Sequence, residues 1–273
     1  MEHRVTVTEK TTEAGTPTEI PPIISVDDHL VEPPHLWQKW LSTRWRDRGP
    51  RVERRRLGDL VWVGGSKMYD YELDVPDAPW CDVWFYEDLI YPNKRHVAAV
   101  GFDRDDMTMA PITFDEMRSG CYEPVARVAD MAANHVEVSL SFPTMPRFCG
   151  QTFAEADDLD LGLACVRAYN DFMVEEWCGD SGGALVPLII VPLWDAGLAA
   201  KEVRRNAERG CRAVCFSELP QPWSAIGPHR LLGPVLYGLS GHGHGGVHAH
   251  RFVVKDAGYL IRCSAGGGCL AEF

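Results

Sequence analysis

The chain has 273 residues, 45% of them apolar, enough for one large α/β domain or two small ones around a normal core. Its formal net charge of −12, from 39 acidic and 27 basic residues, argues against nucleic acid or an anionic membrane as partner. No apolar run approaches the roughly 20 residues that a membrane span needs, so no membrane partner is expected.

Nine cysteines, an odd number with no C-x-x-C, read as buried reduced thiols of a cytoplasmic protein. Residues 1–20 are polar, rich in Thr and Glu, and lack the apolar core of a signal peptide; a disordered arm is expected there. The first strand is expected at residues 23–26, running into Val26-Asp27-Asp28-His29-Leu30-Val31-Glu32-Pro33-Pro34. Asp27 and His29 are two apart, so strand alternation puts them on one face and Asp28 on the other. A carboxylate and an imidazole on one face, at the carboxyl end of a strand, suit a divalent metal. The bland alternative is a capped strand end with a satisfied histidine. Asp28 is expected to hold a supporting hydrogen bond, and Glu32 to fix the loop before Pro33-Pro34.

Residues 38–123 are rich in Trp, Tyr, Asp and Pro and show no regular period. They read as a long insertion with only short helices, of the kind that often forms a functional lid. His96 lies in it, with nothing beyond position to give it a role.

Regular alternation begins near residue 124. Pro124 suits the first turn of a helix reaching Ala133. A strand follows from Val136 to Phe142, then a loop over 143–150. Arg147 in that loop is a candidate anchor for a substrate carboxylate, against the plainer reading of a surface arginine. Leu159, Leu163, Val166, Tyr169, Met173 and Trp177 recur at helical spacing, which predicts one long amphipathic helix over 154–177. Residues 184–191 are apolar almost throughout, as buried parallel strands tend to be. Asp195 can cap a helix over 196–209, and a strand over 211–216 carries Cys211 and Cys215 on one face as core thiols. His135 precedes its strand at the end away from the expected site and reads as structural, as does the helix pair Asn170-Asp171.

Strand, helix, strand, helix, strand fits either a (β/α)₈ barrel or a doubly wound sheet. No Gly-rich phosphate loop follows a strand, and Asp27 and His29 at a strand's carboxyl end suit a barrel, whose active sites gather on that face.

Four stretches, in order, resemble the amidohydrolase-related metal-dependent enzymes, in the branch of aminocarboxymuconate-semialdehyde decarboxylase. They are Val26-Asp27-Asp28-His29-Leu30-Val31-Glu32-Pro33; Ala126-Arg127-Val128-Ala129-Asp130-Met131 leading to Val136 and Phe142-Pro143; Ala168-Tyr169-Asn170-Asp171-Phe172-Met173; and Leu185-Val186-Pro187-Leu188 through Ala199-Ala200-Lys201-Glu202-Val203 to Gly210-Cys211-Arg212-Ala213. The resemblance implies an α/β fold: a partial (β/α)₈ TIM-type barrel over 21–222, with the insertion after the first strand. It implies a divalent metal, zinc or manganese, with Asp27 and His29 matching the first-strand ligand pair. A His on a middle strand and an Asp on the last complete the family's site. The implied partner is a small carboxylated or cyclic substrate, hydrolysed or non-oxidatively decarboxylated; homo-oligomers are allowed for an intact relative.

After Pro222 the resemblance is expected to end, leaving residues 223–273 as an irregular Gly- and His-rich tail. Read one nucleotide forward with free synonymous codon choice, Gly241 to Tyr259 contains Val-Val-Cys-Met-His-Ile-Gly, a buried strand ending in the missing His. A frameshift between about Pro222 and Gly227 is the expectation, with His242, His244, His248 and His250 a false metal signal. It leaves two alternatives to an active enzyme: a truncated, inactive remnant, or a binding module using the insertion.

Overall fold

The computed structural model describes residues 20–59, 61–62, 69–217, 251–255, 258–262 and 270–272. The first strand, β1, runs Ile23–His29 and pairs in parallel with β7, Val136–Phe142, reached after the insertion and helix α3, Pro124–Ala133. Both ends of α3 and of β7 fall where Pro124 and the apolar alternation place them.

The expected strand over 184–191 is broken. Pro187 has no N–H to give a ladder, so β8, Leu185–Val186, pairs with β7 while β9, Leu188–Ile190, pairs with β10, Ala213–Ser217. All of these pairings are parallel, and they fall in two sheets, β1-β7-β8 and one that begins β9-β10, each with its strands in chain order. The fold is therefore mixed α/β with sequential parallel strands; among the described residues the sheets are not closed into a barrel.

The helix expected over 154–177 begins later and ends differently. A short α4, Gln151–Ala154, is separate, and α5 spans Leu159–Phe172 because Asp158 caps it, accepting from the Asp160 and Leu161 amides at 3.1 Å each. A π-turn, Met173–Trp177, extends it. The last helix, α6, runs Ala196–Glu208 with Asp195 as its cap, 2.8 Å from the Leu198 amide.

The insertion differs from its reading as irregular chain. After short helices α1, Leu36–Trp40, and α2, Thr43–Arg46, it forms an antiparallel sheet of β2, Arg51–Arg56, β5, Trp80–Tyr86, and β6, Leu89–Pro92. A two-stranded ribbon of β3, Val61–Trp62, and β4, Tyr69–Asp70, accompanies it. The sequence hid β2 because four of its six residues are arginines. Their charge is met across the sheet: Arg54 forks onto Asp82 with two 2.9 Å bonds, and Arg55 pairs with Asp74. Nor is the insertion a free lid. Trp37 and Trp84 are fully buried, edge to face at 5.1 Å, and share one core with Phe153, Tyr169 and Phe172 of the body.

The expected irregular tail also contains strands. Arg251–Lys255 forms β11, parallel to β10; Gly258–Arg262 and Leu270–Glu272 form β12 and β13, antiparallel beyond it. The β-branched and aromatic runs Phe252-Val253-Val254 and Tyr259-Leu260-Ile261 suit them to a sheet. His242, His244, His248 and His250 lie outside the described residues, as does the whole of the expected frameshift junction, Pro222 to Gly227.

Candidate metal centre at the end of the first strand

Alternation along β1 places Asp27 and His29 together. The His29 Nε2 and the Asp27 Oδ1 are 4.0 Å apart, with the two side chains 43% and 55% exposed. Among the described residues neither side chain is engaged in a hydrogen bond; the His29 ring lies 5.7 Å from that of Phe142, at the end of β7.

Asp28 turns the other way and is fully occupied. It accepts from Ser25 Oγ at 2.8 Å and from Ser139 Oγ on β7, and Arg127 of α3 lies 4.0 Å away. Arg127 also donates to the His29 carbonyl at 2.7 Å and to the Gly120 carbonyl at 2.6 Å, while its guanidinium sits over the Trp177 ring. The end of β1 is thus clamped from the side opposite the exposed pair. The sequence offered Arg127 only as part of a family stretch and did not show this duty.

Glu32 is the second group that sequence reasoning underread. It is fully buried and holds the loop after β7 rather than the Pro33-Pro34 loop alone: Oε1 accepts from the Thr144 amide and Oε2 from the Met145 amide, both at 2.9 Å. Thr144 Oγ1 returns a 2.6 Å bond to the Leu30 carbonyl. Burial pushes the Glu32 carboxyl up to about 7, against the pull of the amides, which favour the ionised form.

Arg147 lies in that same loop, at φ 61° and ψ −172°, a region nearly reserved for glycine; Cys149 is left-handed at φ 60°. Each such residue costs roughly 1–3 kcal/mol, which the surrounding bonds must offset. The Arg147 guanidinium is paired with Glu155 at 2.5 Å and is partly exposed, so it is held at the surface of the loop. Cys149 and Cys215 meet in the core with sulfurs 3.3 Å apart, and Cys211 is buried as well, consistent with core thiols.

Asn170 and Asp171 have clear structural duties. Asn170, fully buried on α5, accepts from the Ile190 amide and donates to the Ile190 carbonyl, both at 2.9 Å, replacing a ladder partner where Pro187 has split the strand. It also donates to Glu202 of α6, which is bound in turn by Arg205 and Asn206. Asp171 accepts from Arg205 and Arg209 at 2.6 and 2.7 Å. His135 forms the left-handed turn before β7, at φ 58°, and its carbonyl receives the Ile23 amide.

The donor chemistry of Asp27 and His29 fits a divalent ion. An oxygen and a nitrogen bound to one ion at about 2.1 Å each are roughly 3–4 Å apart, a separation that small rotations of two exposed side chains reach. The fit is partial, because among the described residues no three His, Cys, Asp or Glu side chains gather as a metal site would require. Also among the described residues, no helix is long and apolar enough to cross a membrane.

A family model described as amidohydrolase matches residues 36–239. The match begins after Asp27 and His29 and continues past Pro222, where the resemblance was expected to end. No curated protein matches the chain. Among solved structures, an amidohydrolase from Mycobacterium avium subsp. paratuberculosis K-10 is similar at 18% identity and a TM-score of 0.45, over 71% of this chain and 49% of that one. The chain thus spans about half the length of that structure. With three quarters of its length under the family model, the chain belongs to the amidohydrolase family.

Proposed function

We propose that the protein is, or descends from, a metal-dependent enzyme that hydrolyses or non-oxidatively decarboxylates a small carboxylated or cyclic substrate, with Asp27 and His29 as first-strand metal ligands and Arg147 as a substrate anchor. The observation that carries this reading is the Asp27–His29 pair: two metal-ligating groups on one strand face, exposed and 4.0 Å apart, in a chain of this family. The parallel strands of the two sheets, β1-β7-β8 and β9-β10-β11, each run in chain order without a reversal, which supports arcs of a (β/α)₈ barrel over a doubly wound sheet with its switch point.

In this reading a bound zinc or manganese ion would polarise water or the substrate. The chain's own residues supply the frame. Asp27 and His29 present an oxygen and a nitrogen in one direction, and Arg127 fixes the strand end that carries them. Arg147 can exchange Glu155 for a substrate carboxylate, keeping a charge-assisted pair while orienting the ligand.

Metal analysis of untagged protein tests this, followed by Asp27→Ala and His29→Ala. Stoichiometric metal in the wild type, lost in both variants, is expected. A second reading, an inactive remnant, draws support from the pair's lack of a third ligand among the described residues. It expects no metal above background. The frameshift proposal is tested by sequencing the DNA across codons 218–232; an intact frame, with tail peptides recovered from the natural protein, refutes it.

A further inference from the structure

We propose that Glu32 is a proton-controlled latch on the 143–150 loop: the loop is held against the end of β1 while the carboxyl carries its proton, and loosens when the carboxyl ionises and draws water in. The geometry ties the start of the loop to this side chain, beside the Thr144 hydroxyl bond to the Leu30 carbonyl. Both carboxyl oxygens are spent on consecutive loop amides, Thr144 and Met145, which come one proline after Phe142, the residue whose ring lies beside His29. Pro33 and Pro34 stiffen the chain just after Glu32. The far side of the loop is fixed by Thr152, whose hydroxyl donates to the Met145 carbonyl at 2.9 Å. Between these ties sit Arg147 and Cys149 in backbone conformations that favour release.

The carboxyl is fully buried, and among the described residues no cation pairs with it. The titratable groups that feel it are the phenols of Tyr91 on β6 and Tyr169 on α5, both pushed upward by burial and by the carboxylate itself. Among the described residues the groups that favour its charge are backbone amides, and burial outweighs them, pushing the carboxyl up to about 7. Any opening that wets Glu32 returns it towards its ordinary acidity, so ionisation favours the open loop. The neutral acid keeps a carbonyl oxygen for one amide and needs no hydration. The bearing of the latch on Arg147 as substrate anchor rests on the function proposed above; the latch itself does not.

Amide hydrogen exchange of the full chain, corrected for intrinsic rates, tests the latch between pH 6 and 8. Thr144 and Met145 are expected to lose protection about ten-fold over this range, for a carboxyl moving between about 7 when buried and 4.5 when wet. Ser139 and Leu140 of β7 serve as references and are expected to hold. E32Q, which has no carboxyl to titrate, is expected to lose the slope; its level of protection falls at whichever loop amide faces the Gln nitrogen, which cannot accept a hydrogen bond. Asp27→Ala is expected to keep the wild-type slope, so loss of the metal reading leaves the latch standing. A flat or rising wild-type profile, or an equal slope in E32Q, overturns the proposal. Should E32Q fold poorly, carbon-13 titration of the wild-type Glu32 carboxyl decides: a midpoint near 7 supports the latch, and one in the ordinary carboxylate range refutes it.

Discussion

Two buried glutamates mark two regions of this molecule, and they differ in sign. Glu202, between α5 and α6, is 1% exposed; burial pushes its carboxyl up, but Arg205, Asn170 and Asn206 outweigh that and leave it below the ordinary value. Glu32, just past the end of β1, is as deeply buried and is answered, among the described residues, by amides alone, so burial wins and its carboxyl rises to about 7. The region under the helices has spent its polar groups on one another and holds the fold. The end of β1 carries two exposed ligands, Asp27 and His29, and just beyond it a buried acid that, among the described residues, no cation pairs. The difference separates a structural network from a place where something from outside can act.

The largest expected effect lies in the first region. Asn170→Ala strips both backbone partners from Ile190 in the core and is expected to cost roughly 2–4 kcal/mol in urea unfolding. A loss below about 1 kcal/mol would mean that the split at Pro187 does not need this bridge.

The second effect is a pH dependence. Because the folded carboxyl of Glu32 titrates near 7, above the ordinary 4.5, the fold holds a proton between these values that the unfolded chain has released. The stability it contributes is complete below about 4.5 and is lost as pH rises to about 7. The unfolding free energy of the wild type, taken relative to E32Q, is therefore expected to fall by about 2.5 kcal/mol from pH 5 to 8. Parallel profiles would place a cation near Glu32. Glu202 has the opposite sign, contributing above its ordinary value and losing that contribution as pH falls.

Arg127→Ala removes the clamp on the His29 and Gly120 carbonyls and is expected to cost about 1–2 kcal/mol, with faster amide exchange along β1. Asp27→Ala and His29→Ala are expected to stay within about 0.5 kcal/mol of wild type, since both side chains are exposed. A large loss from either would make the pair structural and remove the contrast.

Much of this was legible in the sequence where local chemistry decides. Pro124 starts α3, Asp195 caps α6, and the alternation over Val136–Phe142 gives β7 its ends. Spacing alone put Asp27 and His29 on one face. What stayed hidden depends on partners distant in the chain. Four arginines in β2 erase its alternation until Asp82 and Asp74 are seen opposite them. Glu32 looks like an ordinary loop acid until the loop 112 positions later folds onto it. Asp158 breaks a helical pattern whose apolar period runs straight through it. The strands at 251–262 follow a Gly- and His-rich stretch that drew attention away from their own β-branched runs.

In the function proposed above, the exposed pair on β1 holds a divalent metal and the fold does not depend on it. Isothermal titration of the metal-stripped, untagged full chain with zinc and with manganese tests it most directly, alongside Asp27→Ala and His29→Ala. Saturable one-to-one binding in the wild type, absent in both variants while their unfolding midpoints hold, is the predicted result. Binding that survives in both variants, or no binding in the folded wild type, would contradict it.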